Sequence, residues 1–103
     1  MKRDDSNAAG RAKYQRMWDI TATVIKDWDP YRLLAGGAPT GEFDHEIASV
    51  VAQIPRIHSD ADAAHAVSQV FASSFEADQF TVEMCSDVGK KLYAALSEQG
   101  LID

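Results

Sequence analysis

Four rows of apolar residues run through this chain at spacings of three and four, and nowhere do apolar and polar residues alternate over a stretch bounded by turn signals. Spacings of three and four keep side chains on one face of an α-helix, whereas a half-buried strand needs a period of two. The first row is Tyr14, Met17, Thr21, Val24 and Trp28, with Trp18 and Ile25 beside it. At about 100° per residue the set spans a stripe about 120° wide. The second row is Phe43, Ile47, Val50, Val51 and Ile54. The third is Ala64, Val67, Val70, Phe71 and Phe75, and the fourth is Val82, Cys85, Gly89, Leu92 and Leu96, with Val88 alongside. The pattern predicts an all-α fold, a compact array of four main helices with no sheet.

Residues between the rows say where each helix starts and stops. Pro30 ends the first, because it disfavours α geometry at Asp29. Asp29 and Pro30 then suit the N-cap and first position of a short helical turn over residues 31–34, which Gly36 and Gly37 stop. Thr40 is the expected cap of the second helix, Glu42, Asp44 and Glu46 favour its positive end, and Pro55 closes it. Ser59 opens the third helix, with Asp62 three residues on as in a capping box. Residues 76–79 link to the fourth helix, which Gly100 ends as a left-handed cap with Leu101 as its apolar contact. Residues 1–9 are polar and aperiodic. The predicted organisation is a flexible N-terminal tail over 1–10 and a single helical domain over 11–103. A chain of 103 residues fits one domain. Surface scaling gives roughly 5,700 Å² folded against roughly 16,400 Å² extended, enough burial for one core without metal or disulfide.

Charge narrows the function. The net charge is -6, unevenly placed. Residues 1–16 hold five bases (Lys2, Arg3, Arg11, Lys13, Arg16) against Asp4 and Asp5. Within 40–89 only Arg56 opposes nine acids: Glu42, Asp44, Glu46, Asp60, Asp62, Glu76, Asp78, Glu83 and Asp87. So acidic a body argues against nucleic acid or an anionic membrane as partner and points to a basic protein. The start has no apolar run behind its bases, so it does not read as a secretory signal, and no stretch approaches the ~18 apolar residues of a membrane span. The single Cys85 excludes an intrachain disulfide. A soluble, cytoplasmic protein is expected.

No convergent catalytic set stands out, and neither enzyme activity nor a cofactor is expected. Glu42-x-x-His45 and Asp62-x-x-His65 have the spacing of bundle metal ligands. However, His45 lies about 160° from Phe43 and His65 about 160° from Val67, so both histidines point to solvent. A metal site or metal-dependent enzyme built from Asp29, Glu42, His45 and Glu46 is the alternative reading. Cys85 sits on an apolar row, as a buried small hydrophobe does. Gly36-Gly37 lacks the surroundings of a phosphate loop and reads as turn punctuation. Ile20 lies about 100° from the middle of the first stripe and is expected near the surface, which leaves the oligomeric state open.

The least generic stretch is residues 28–43, WDPYRLLAGGAPTGEF. It is apolar for a loop. It reads either as the end of the core, with Trp28 inside, or as a partner-binding patch of Trp28, Asp29, Tyr31, Arg32, Leu33 and Leu34 with the acids Glu42, Asp44 and Glu46. The run Trp28-Asp29-Pro30, Leu33 to Pro39, Glu42-Phe43-Asp44 and Glu46-Ile47 resembles the YugE-like family of small bacterial proteins of uncharacterised function. The likeness extends over residues 14–97. It implies a compact all-α array of about four helices and supplies no reaction. Gly41 stands where members of that family often carry Asp, so no paired Asp–Glu role carries over. Small proteins with similar Trp-Asp-Pro loops are grouped with immunity proteins of bacterial toxin systems, an analogy at the level of the fold. The function expected is a non-enzymatic protein-interaction module, of immunity or inhibitor type, that binds an unknown basic protein.

Overall fold

The first apolar row makes a helix longer than the row itself. In the computed structural model α1 runs Lys2–Trp28. The structure describes residues 2–39 and 41–102, with the side chains of 2–9 and of Tyr31 outside the described part. The segment expected as a flexible tail over 1–10 carries helix from Lys2. Helix needs no apolar period where it is built from good formers, and Ala8, Ala9, Arg11, Ala12 and Lys13 are such residues. Residues 10–16 are exposed throughout. A helix of this length spans about 40 Å, and the molecule measures 48 × 30 × 22 Å. Its accessible surface, 6412 Å², exceeds the roughly 5,700 Å² expected of a rounded chain of this mass.

Burial on α1 centres on Thr21, Ala22 and Ile25. Met17, Trp18, Val24 and Trp28 flank that line half-buried, and so does Ile20. Tyr14 lies on the same line but is 47% exposed. The Thr21 hydroxyl is buried and has no hydrogen-bond partner among the described residues.

After α1 a 3₁₀ turn covers Pro30–Arg32, and α2 follows over Asp44–Gln53. The expected cap, Thr40, lies outside the described residues. Pro55 sits inside a 3₁₀ turn, Ile54–Arg56, which closes α2 as predicted. Phe43, Ile47, Val50, Val51 and Ile54 are all buried. Helix α3 covers Asp60–Ser74, and Ser59 caps it by accepting from Asp62 N. The return bond of this capping box is displaced by one residue, since Asp62 Oδ2 accepts from His58 N and not from Ser59 N. A 3₁₀ turn, Ala77–Gln79, leads through a turn capped by Thr81 Oγ1 into α4, Ser86–Glu98. At its end Leu101 N donates to Leu96 O and Gly100 N to Ser97 O, with Gly100 at φ 68. Those two bonds make the predicted left-handed cap, and Leu101 is buried as its apolar contact. No strand occurs among the described residues.

The four helices close into a ring: α1 packs on α2 and α4, and α3 packs on α2 and α4. The tightest side is α3 against α4. A Cβ placed on Gly89 would stand 2.6 Å from Ala64 N and 2.7 Å from Ala64 Cα. Backbone therefore meets backbone there, and only glycine fits. In an open helix interior, Gly→Ala stabilises by roughly 0.5–1 kcal/mol. At Gly89 the sign reverses: Gly89→Ala is expected to lower stability by about 1–3 kcal/mol in urea unfolding. A gain from the same substitution would show that α3 and α4 do not touch at this point.

Candidate functional site

The segment after α1 is organised by one carboxylate. Asp29 N donates to Ile25 O at 2.9 Å and closes the helix. Asp29 then takes left-handed backbone, φ 45 and ψ 65, a conformation Asp tolerates better than most residues. Its side chain does not cap the turn that starts at Pro30, as the sequence predicts. It caps the turn after that one: Oδ1 accepts from Leu34 N at 2.8 Å and Oδ2 from Ala35 N at 2.9 Å. Arg32 also has positive φ, 53, which costs a residue with a Cβ about 1–2 kcal/mol and turns the Leu34 and Ala35 N–H groups back toward Asp29. Gly36 N donates to Arg32 O, Ala38 N to Leu33 O and Gly37 N to Leu34 O, with Gly37 at φ 100. The last two bonds form a Schellman closure, which explains why glycine stands at 37.

Trp28 ties this segment to the core. Its ring meets Phe71 edge-on at 5.1 Å and Phe80 edge-on at 5.9 Å. Phe71 also lies 6.0 Å from Phe43, 5.8 Å from Phe75 and 5.4 Å from Phe80. Ser68 Oγ donates to Phe80 O at 2.6 Å and fixes Phe80 on α3. One aromatic cluster thus joins the end of α1, the start of α2, α3 and the link to α4.

The residues predicted for a partner patch are divided by this arrangement. Trp28 and Asp29 are half-buried and engaged in structure. Leu33 and Leu34 are half-buried against the core. Arg32, Glu42 and Asp44 are exposed. The side chain of Tyr31 lies outside the described residues. Glu46 is a correction: it is 7% exposed and does not belong to the acidic surface. It stands three residues after Phe43 and four before Val50, and so shares their buried face. Within segment 28–38, Pro30 is buried, Trp28, Asp29, Leu33, Leu34 and Ala38 are half-buried, and Arg32, Ala35, Gly36 and Gly37 are exposed.

Residues 20–99 match the family model of DUF1871, a domain of unknown function. The chain belongs to that family. No curated protein and no solved structure matches it. The DUF1871 match covers the last third of α1, the Asp29 loop and the rest of the ring, and it leaves out α1 before residue 20.

The alternative metal site is not assembled in this DUF1871 member. Among the described residues no three His, Cys, Asp or Glu side chains gather to hold an ion. Both oxygens of Asp29 are held by backbone N–H groups, Glu46 is buried, and His45 and Glu42 are exposed on α2 and just before it. His65 is exposed, as predicted, and Asp62 is used as a cap. Cys85 is fully buried, and burial pushes its thiol up from 9.0 to about 11. Near neutral pH it is a protonated thiol and a poor nucleophile. Sequence reasoning missed a hollow between α3 and α4, lined by Asp60, Ala64, Val82, Glu83, Ser86 and Lys90. Asp60 and Glu83 are far apart in sequence and share this hollow because α3 and α4 approach closely at Gly89. Among the described residues no helix is long and apolar enough to cross a membrane.

Asp29→Ala removes both acceptors and is expected to cost about 2–3 kcal/mol. Asp29→Asn keeps one oxygen acceptor and the tolerance for left-handed backbone, and should cost about half as much. Thermal or urea unfolding of both variants checks this. Losses below about 0.5 kcal/mol for both, as at an ordinary surface site, would remove Asp29 from its organising place.

Proposed function

We propose that this chain is a non-enzymatic interaction module of the cytoplasm whose acidic surface receives a basic protein. The narrower likeness to the YugE-like proteins forms part of the same proposal. The observation that carries it is the state of the acids over 40–89. Glu42, Asp44, Asp60, Glu76, Asp78, Glu83 and Asp87 are exposed, and Asp62 is half-buried. Arg56 is the single base in that stretch. Among the described residues none of these acids is joined to a base in an ion pair. A surface rich in one sign of charge raises the local potential and speeds encounter with a partner of the opposite sign. The hollow flanked by Asp60 and Glu83 offers a seat for a Lys or Arg of that partner, with Lys90 at its edge. An inhibitor of immunity type, covering a basic enzyme, is one instance of such a module.

The competing use of surface acids is solubility. Pull-downs from the native host at low and high salt separate the two, with a Glu42→Lys/Asp44→Lys/Asp60→Lys variant as control. The proposal expects a protein held by the parent at low salt, released by high salt and not held by the variant. If nothing is held at low salt, or if the variant holds the same protein equally well, the acidic surface is not the binding surface.

A further inference from the structure

One face of α1 is arranged to pair with its own copy. Lys13, Arg16, Ile20, Val24 and Asp27 are spaced three, four, four and three. At about 100° per residue they fall within an arc of about 80°. Lys13, Arg16 and Asp27 are exposed, and Ile20 and Val24 are half-buried. The spacing reads the same from either end, with bases at one end, apolar residues in the middle and an acid at the other. Beside this face α4 runs antiparallel: Lys91 lies by Val24 and Asp27, Ala95 by Ile20 and Val24, and Ile102 by Lys13. Between the two helices lie two shallow hollows of about 240 Å³ each, one at Ile20 and Ala95 and one at Asp27 and Asp87.

We propose that this groove is the contact between two copies of the chain, paired antiparallel about a two-fold axis at Ile20. An isologous contact requires a surface complementary to itself. Centred on Ile20, the pairing sets Lys13 of each copy against Asp27 of the other and Arg16 against Val24. The Arg16 stem then covers Val24 while its guanidinium reaches the acids Asp27 and Asp87, where Lys91 is the single base. Ile20 meets Ile20 over the hollow beside Ala95. The seam is about 21 Å long. It also gives cover to residues 10–16, which are exposed in the single chain. Apart from Asp87, the groove is separate from the acidic surface discussed above, and neither reading depends on the other.

Sedimentation equilibrium of the full chain at low salt, from about 1 to about 300 µM, tests the pairing. The expected result is a concentration-dependent dimer that Lys13→Glu weakens by about tenfold or more and that Ile20→Asp abolishes. Combining Lys13→Glu with Asp27→Lys reverses the charges on both sides of the contact and should restore the dimer. Both of these charged positions are exposed, and circular dichroism confirms that the variants fold. A monomer across the whole range, a dimer indifferent to Lys13→Glu and Ile20→Asp, or a charge swap that restores nothing would each overturn the proposal.

Discussion

Phe71 is the side chain on which the ring of helices closes. It is fully buried and has Trp28, Phe43, Phe75 and Phe80 around it at centroid separations of 5.1 to 6.0 Å. Those neighbours come from the end of α1, the start of α2, α3 itself and the link to α4. Edge-on and offset aromatic pairs add about 0.5–1.5 kcal/mol each beyond the area they bury. The Trp-Asp-Pro segment is fixed at both of its first residues: Trp28 enters the cluster and Asp29 ties the chain that follows.

Local signals in the sequence predict what is local in the structure. Ser59 with Asp62 and Gly100 with Leu101 act within one turn, and both caps form, the first with its return bond moved to His58 N. The second, third and fourth rows are buried nearly residue for residue. What escapes sequence reasoning depends on distant or unusual geometry. The part played by Asp29 follows only once Arg32 takes positive φ and aims N–H groups five and six residues on. Gly89 reads as one more member of an apolar row until α3 is laid against it. The early start of α1 leaves no apolar trace, because helix formers alone make it.

Of the candidate site, the exposed acids were legible and their grouping was not. Glu46 counts as an acid in composition, yet its spacing from Phe43 and Val50 already assigns it to the core face. Asp29, Glu42, His45 and Glu46 look like ligands in one dimension. In the fold one is a cap, one is buried and two face solvent. What is left is a surface of exposed carboxylates with little positive charge among them, and the proposed function grows from it. The start of α1 carries the opposite sign, and the spacing of Lys13, Arg16, Ile20, Val24 and Asp27 along it reads the same from either end, which is why the chain itself is the occupant proposed for the α1–α4 groove.

Trp28 anchors the Trp-Asp-Pro segment to the core through Phe71 and Phe80. Urea unfolding of Trp28→Ala tests it most directly. If Trp28 is held against Phe71 and Phe80, the substitution lowers stability by about 3–5 kcal/mol. A loss of only a few tenths of a kcal/mol, as for an ordinary surface residue, would contradict the account and return the segment to the surface.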